Sequence, residues 1–188
     1  MLFLVDSSSA VSKSYYQEEL DFLKKVVELF RISPRYVRAG IIPYGNRAEL
    51  SIPLGRHETN EAINRSIDSL PYIGGTKRID QALILANQTF SSARPLVPKI
   101  LLILTHGGRL TEPGTDLRTL VQALRDQGTT MFVIAIGESI DYLSLGQIVP
   151  RNNMITDESH ETLVPYLSSA ASYIRVNSGR KKLSRSLL

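Results

Sequence analysis

The chain has 188 residues, of which 43% are hydrophobic and 21% are charged, and it contains no cysteine. A chain of this length can bury a sizeable core without covalent support, and the lack of cysteine excludes disulfide frameworks, thiol nucleophiles and zinc fingers. No apolar run approaches the ~18 residues of a membrane span. The opening apolar run reaches Asp6 too soon for a signal peptide.

The formal net charge of +4 comes from the end of the chain. Residues 175–188 hold five basic residues and no acidic one, whereas residues 1–174 hold 17 basic and 18 acidic residues. We therefore expect one domain over residues 1–174, followed by a basic, disordered tail or linker at residues 175–188. Because the domain itself is close to neutral, its charge does not favour a nucleic-acid partner.

Apolar runs alternate with amphipathic segments through the first half of the chain. Residues 1–5 are continuously apolar, as in a buried strand, and Gly45-Asn46 is a typical hairpin turn. Apolar side chains from Tyr16 to Phe30 recur at spacings of three and four, which indicates a helix that Ser12 or Ser14 caps. The pattern predicts, in order, a strand at residues 1–5, a helix at 14–30, a hairpin of strands at 37–44 and 47–52, and helices at 59–70 and 79–90.

The second half continues the alternation. Residues 100–104 are apolar without interruption, which indicates a strand buried on both faces, and Gly128 is a typical helix stop. The further predicted elements are a helix at residues 116–126, a strand at 130–136, a short helix at 140–145, a short edge strand at 153–155 and a closing helix at 158–174. This order predicts an α/β fold with three layers: a doubly wound, mostly parallel central sheet with one short antiparallel edge strand and helices on both faces.

Three polar loops follow or precede these elements where ligands bind in open α/β sheets, outside the carboxyl ends of the strands. They are residues 6–10 after the first strand, residues 74–77 before a helix, and residues 105–107 after the central strand. A carboxylate and several hydroxyls in one crevice suit a hard cation such as Mg²⁺. Asp-Ser-Ser after a strand is also an ordinary helix cap, and for any single loop the spacing alone favours that interpretation over a metal site.

The sequence resembles a von Willebrand factor type A domain from the first strand to the last helix. Residues 3–9, FLVDSSS, are similar to the family's D-x-S-x-S motif, and residues 72–76, YIGGT, to the loop that carries the metal-site threonine. Further similarity covers residues 41–50, 99–109, 124–128 and 132–137. The resemblance implies a metal-ion-dependent adhesion site, where a metal links the domain to an acidic side chain of a partner protein, so the expected work is binding rather than catalysis.

By this resemblance Asp6, Ser8 and Thr76 are the metal-site residues, and two positions depart from the family pattern. Ala10 stands where the motif has a second serine, and His106 stands where the family has an aspartate. The loss of a hydroxyl and of a carboxylate leaves three protein oxygens for an ion that prefers six ligands. We expect no required cofactor and at most weak Mg²⁺ or Mn²⁺ binding, with Asp6 and Ser8 left to hydrogen-bond within their own loop.

A basic rim around the crevice is the predicted contact surface for an acidic partner, and it consists of Ser7, Lys77, Arg78 and Gly107. The predicted function is a non-catalytic protein-interaction or adhesion module of an extracellular, secreted matrix or cell-adhesion protein, similar to the A domains of matrilins and collagen VI. The expected partner is a matrix protein such as collagen, or a second copy, with no nucleic acid, membrane insertion or small-molecule substrate. Two glycosylation sequons, at Asn64 and Asn87, favour secretion weakly.

Other functions remain as alternatives. One is a Mg²⁺-dependent ligand-binding domain of the same family, and another is an intracellular scaffold domain. A nucleotide-binding enzyme is disfavoured because the first turn is Asp-Ser-Ser-Ser and the chain has neither G-x-G-x-x-G nor G-x-x-x-x-G-K-[ST]. A hydrolase is disfavoured because the G-x-S-x-G elbow is missing.

Overall fold

A five-stranded parallel sheet forms the centre of the structure, a computed structural model that describes residues 1–112 and 114–157. The spatial order of the strands is β2-β1-β3-β4-β5, and every neighbouring pair is parallel. The predicted α/β class and mostly parallel sheet are confirmed, but the sheet of the described residues contains no antiparallel edge strand; its antiparallel contacts are isolated bridges. The strands are β1 (Leu2–Asp6), β2 (Gly40–Tyr44), β3 (Lys99–Gly108), β4 (Thr129–Ile140) and β5 (Met154–Asp157).

Five α-helices lie within the described residues, and side-chain caps fix where several of them begin. Ser12 accepts a hydrogen bond from the Tyr15 amide, and Thr59 and Asp116 cap their helices in the same way. Gly128, with φ +78°, follows α4 where a helix stop was predicted. The helices are α1 (Lys13–Glu28), α2 (Asn60–Ile67), α3 (Ile79–Ser91), α4 (Leu117–Asp126) and α5 (Tyr142–Ile148), and a short 3₁₀ turn spans Arg151–Asn153.

The sheet separates two hydrophobic cores. Because successive side chains of a strand point to opposite faces, Phe3 and Val5 pack with α1 and α2, while Leu2 and Leu4 pack with α3, α4 and α5. In β3 the same alternation divides its apolar run between the two cores. Burial on both faces explains why these strands are continuously apolar, as expected for a parallel sheet.

Several predicted boundaries were wrong. Residues 47–52 do not form a full strand; they contact β2 through two isolated antiparallel bridges, Tyr44 with Ala48 and Ile41 with Ile52. The predicted short helix at 140–145 begins two residues later, because β4 continues to Ile140. β3 also extends into the glycine turn as far as Gly108. The predicted helix at 158–174 and the basic tail at 175–188 lie outside the described residues.

The direction of chain travel changes between β1 and β3. The chain passes from β1 to β2 on one side and then returns to β3 on the other, so the carboxyl ends of β1 and β3 flank a crevice. Val5 pairs with Leu104, which places Asp6 beside Thr105 and His106. Within the described part of the chain, no helix is long and apolar enough to cross a membrane.

Candidate functional site

Asp6 lies at the centre of the crevice and is fully buried. Its Oδ1 accepts hydrogen bonds from the Ser8 amide at 3.1 Å and the Ser8 hydroxyl at 2.7 Å. The Ala10 amide in turn donates to Ser8 Oγ at 3.4 Å. An Asp at the end of a strand forms such a turn with the amide two residues later. The first loop is therefore held by Asp6 and Ser8, two of the three residues that were predicted as metal ligands.

The second loop, residues 74–77, is hydrogen-bonded to the first. The Ser9 amide donates to the Gly75 carbonyl at 2.9 Å, and the Gly75 amide donates to Ser9 Oγ at 2.8 Å. Gly75 has φ +72°, and a Cβ there would lie 2.7 Å from the Asn46 side chain, so only glycine fits. Thr76, the third predicted ligand, is exposed.

Lys77 reaches from the second loop into the crevice. Its Nζ lies 2.6 Å from Asp6 Oδ2, and only 4% of the Lys77 side chain is exposed. The same ammonium group donates to the His106 carbonyl at 2.6 Å, to the Gly107 carbonyl at 3.1 Å and to Thr105 Oγ1 at 3.3 Å. A buried ammonium group thus lies against the carboxylate at the centre of the predicted metal site.

The third loop completes the contacts of Asp6. The Thr105 hydroxyl donates to Asp6 Oδ2 at 3.2 Å and the His106 amide donates to the same oxygen at 3.1 Å. The His106 backbone therefore contacts the carboxylate, while its imidazole points to α1. The imidazole Nδ1 lies 3.1 Å from Glu19 Oε2, and the Tyr15 ring meets the imidazole edge-on.

Glu19 and His106 form a second buried pair beside the first. Burial raises the pKa of Glu19 to about 7, and the hydrogen bond and charge of His106 oppose that rise. Burial lowers the pKa of His106, but the hydrogen bond and charge of Glu19 outweigh burial and raise it above its usual value. The crevice therefore holds the ion pair of Asp6 with Lys77 and, beside it, a buried pair of titratable groups, Glu19 and His106.

The predicted rim residues have different surroundings. Ser7 is buried, and its hydroxyl donates to the Tyr44 carbonyl at 3.1 Å. Lys77 is buried as described above. Arg78 is partly exposed and forms an ion pair with Asp80 at 2.7 Å. Of the four, Arg78 and Gly107 are at least partly accessible to a partner in this structure.

The residues present do not fit a hard divalent cation. Both oxygens of Asp6 accept hydrogen bonds from protein groups, and the Lys77 ammonium lies against Oδ2. Ala10 and His106 offer no side-chain oxygen. Among the residues the structure describes, no three His, Asp or Glu side chains are grouped so that they could hold a metal. The crevice can therefore bind its own loops together but is not arranged to coordinate Mg²⁺.

One participant, Glu19, was missed by the sequence prediction. A signal existed for Glu19, because it lies three residues after Tyr16 and four before Leu23, on the apolar face of α1. An acidic residue on such a face needs a buried partner. Thr105 belongs to the third predicted loop, residues 105–107, and the structure brings its hydroxyl to Asp6. Its role follows from the register that brings the ends of β1 and β3 together.

A family model and several known proteins match this chain. The model described as "von Willebrand factor type A domain" matches residues 1–170. Human collagen alpha-1(XXI) chain is 24% identical over 188 residues, which is 100% of this chain and 18% of that protein. Mouse von Willebrand factor A domain-containing protein 2 is 28% identical over 170 residues, or 88% of this chain and 21% of that protein. The chain spans about a fifth of the length of these relatives.

Among solved structures, proximal thread matrix protein 1 from the mussel byssus is similar, with a TM-score of 0.81 and 24% identity over 90% of this chain and 45% of that chain. The same protein with a zinc occupied MIDAS motif gives a TM-score of 0.80, at 24% identity over 90% of this chain and 46% of that chain. At this identity the likeness shows the shared fold alone.

Proposed function

Because the chain belongs to the von Willebrand factor type A domain family, whose members are typically non-catalytic adhesion modules, we propose that it is a protein-interaction module of an extracellular matrix or cell-adhesion protein. The collagen relatives support a matrix setting. The module has no catalytic role in this proposal, since the groups converging on the crevice bind one another rather than a solvent-accessible substrate.

One observation carries the proposal that partner binding does not need a divalent metal. Each oxygen of the Asp6 carboxylate accepts hydrogen bonds from within the protein, and an ammonium group neutralises it at 2.6 Å. A divalent ion would have to displace Lys77 and at least part of the hydrogen bonding before it could bind. Metal binding at this crevice is accordingly weak or absent.

The proposed partner is a matrix protein such as collagen, or a second copy of the chain. A nucleic-acid partner is disfavoured, because residues 1–174 hold 17 basic and 18 acidic residues and so provide little attraction for phosphates. The proposal includes neither insertion of the domain into membranes nor a small-molecule substrate.

Surface plasmon resonance with defined partners tests the proposal. Fibrillar collagen, and separately the chain itself, are immobilised, and the chain is passed over each surface in EDTA and in Mg²⁺. We expect saturable binding to at least one surface with the same affinity in both buffers. Binding that appears only in Mg²⁺ would favour the metal-dependent alternative. Saturation on neither surface would contradict the proposed class of partner.

A further inference from the structure

The four oxygens around Lys77 Nζ form the environment that a small cation normally has in a protein. They are a carboxylate oxygen of Asp6, the Thr105 hydroxyl and the carbonyls of His106 and Gly107, at distances of 2.6 to 3.3 Å. Carboxylate, hydroxyl and carbonyl oxygens are also the ligands of hard metal ions. The set comes from the first and third loops, and the cation comes from the second.

A positive charge is needed at this place. Asp6 is fully buried at the end of β1, and a buried carboxylate without a counter-charge is strongly destabilising. With Ala10 and His106 the crevice has one hydroxyl and one carboxylate fewer than the family pattern, which weakens the binding of a metal ion. Lys77 supplies the missing charge from within the chain, one residue after Thr76.

We propose that Lys77 is a built-in cation that takes the place of a metal ion in this crevice. Its ammonium group has three N–H bonds, and the four oxygens around it use all three. The group is therefore not available to an acidic side chain of a partner, unlike a metal ion with an open coordination position. The contacts in the crevice hold the three loops together, and partners contact surfaces outside the crevice.

Two causes of poor metal binding, the departures at Ala10 and His106 and the ammonium group of Lys77, predict different behaviour of variants. If Ala10 and His106 were the whole reason for poor metal binding, Ala10→Ser with His106→Asp would restore it. If Lys77 occupies the cation position, that double variant still binds no ion, and binding returns only when the ammonium is also removed. The order in which substitutions restore binding therefore distinguishes the two explanations.

The experiment titrates Mn²⁺ into the full chain and its variants by isothermal calorimetry, with electron paramagnetic resonance as a second readout of bound Mn²⁺. The variants are Ala10→Ser/His106→Asp, the same pair with Lys77→Ala, and the same pair with Lys25→Ala, an exposed lysine of α1, as the matched control. We expect the Lys77 variant to bind Mn²⁺ at least about tenfold more tightly than the other two and the unaltered chain. If Lys77→Ala prevents folding, Lys77→Gln keeps a neutral donor in its place.

Equal Mn²⁺ affinity of the double variant and the Lys77 variant would overturn the inference, as would micromolar Mn²⁺ binding by the unaltered chain. The inference rests on the proposed function only in that both concern the same crevice. No partner protein is present in the Mn²⁺ titration. A failure of the inference about Lys77 can therefore be told apart from a failure of the proposed matrix binding. A chain that binds Mn²⁺ and still binds collagen in EDTA would contradict this inference alone.

Discussion

Two ion pairs of this protein have the same length and different surroundings. Lys77 and Asp6 approach to 2.6 Å in the crevice with side chains 4% and 0% exposed, whereas Lys24 and Asp68 approach to 2.6 Å with side chains 24% and 51% exposed. Water and salt screen the exposed pair, so it contributes little to the free energy of unfolding. In the crevice each charge has lost its hydration and depends on its partner. Burial, rather than distance, decides how much each pair matters.

The largest effect is expected from breaking the buried pair. Lys77→Met leaves the Asp6 carboxylate buried without a counter-charge and should lower the free energy of unfolding by about 3–5 kcal/mol, measured by urea denaturation. Asp6→Asn/Lys77→Met removes both charges and should recover a large part of that loss. A single variant that costs less than about 1 kcal/mol would show that the pair is not desolvated.

The buried Glu19–His106 pair makes the stability of the crevice depend on pH, because both of its groups are titratable. Both groups have raised pKa values in the folded chain, so the folded state binds more protons and stability falls as pH rises. For Glu19 the free energy of unfolding falls between about pH 4.5 and about pH 7. For His106 it falls further above about pH 6.5. The nearby charges of Asp6 and Lys77 act on both groups with opposite signs.

We therefore expect the chain to be less stable at about pH 8 than at about pH 5.5, by an amount on the order of 2 kcal/mol. Glu19→Gln should remove most of this pH dependence. Glu18→Gln, an exposed neighbour on the same helix, should leave it unchanged. Urea denaturation at the two pH values measures the effect, and an identical pH slope in the unaltered chain and Glu19→Gln would contradict the assignment.

A smaller effect is expected from one hydrogen bond to the buried carboxylate. Ser8→Ala removes the 2.7 Å bond from the Ser8 hydroxyl to Asp6 but keeps the amide bond, so the free energy of unfolding should fall by about 1–2 kcal/mol. Ser69→Ala, at an exposed position after α2, is the matched control. Equal unfolding midpoints for the two variants would mean that the hydroxyl does not stabilise Asp6.

The smallest effect is expected at the exposed pair. Asp68→Asn should change the free energy of unfolding by no more than about 0.5 kcal/mol, since Lys24 keeps a second contact with Asp21 at 2.8 Å. Repeating the denaturation in high salt should abolish even this difference. A loss as large as that of Lys77→Met would contradict the view that burial separates the two pairs.

The sequence predicted the parallel sheet and both layers of helices, because buried strands and amphipathic helices have distinct periodicities. It failed where a boundary depends on contacts from elsewhere. Residues 47–52 have a strand-like pattern but meet β2 only through isolated bridges, and β4 continues to Ile140 because it pairs with β3 as far as Gly108. The local sequence pattern of a segment does not show which other strand it pairs with or over how many residues.

The sequence predicted that the three polar loops meet at the crevice, but it did not predict which charges lie buried there. The order of the elements already placed Asp6, Ser8 and His106 at one edge of the sheet. That Lys77 turns inward could not be foreseen, because basic residues before a helix are usually solvated. The conformation of the Lys77 side chain depends on the Thr105 hydroxyl and the His106 carbonyl, which lie 28 and 29 positions further along the chain.

A crystal structure of the unaltered chain grown in Mn²⁺, with anomalous data collected at the manganese edge, tests the central claim most directly. We expect the Lys77 ammonium to lie against the Asp6 carboxylate and no anomalous peak in the crevice. An anomalous peak bonded to Asp6, with Lys77 displaced into solvent, would contradict the account.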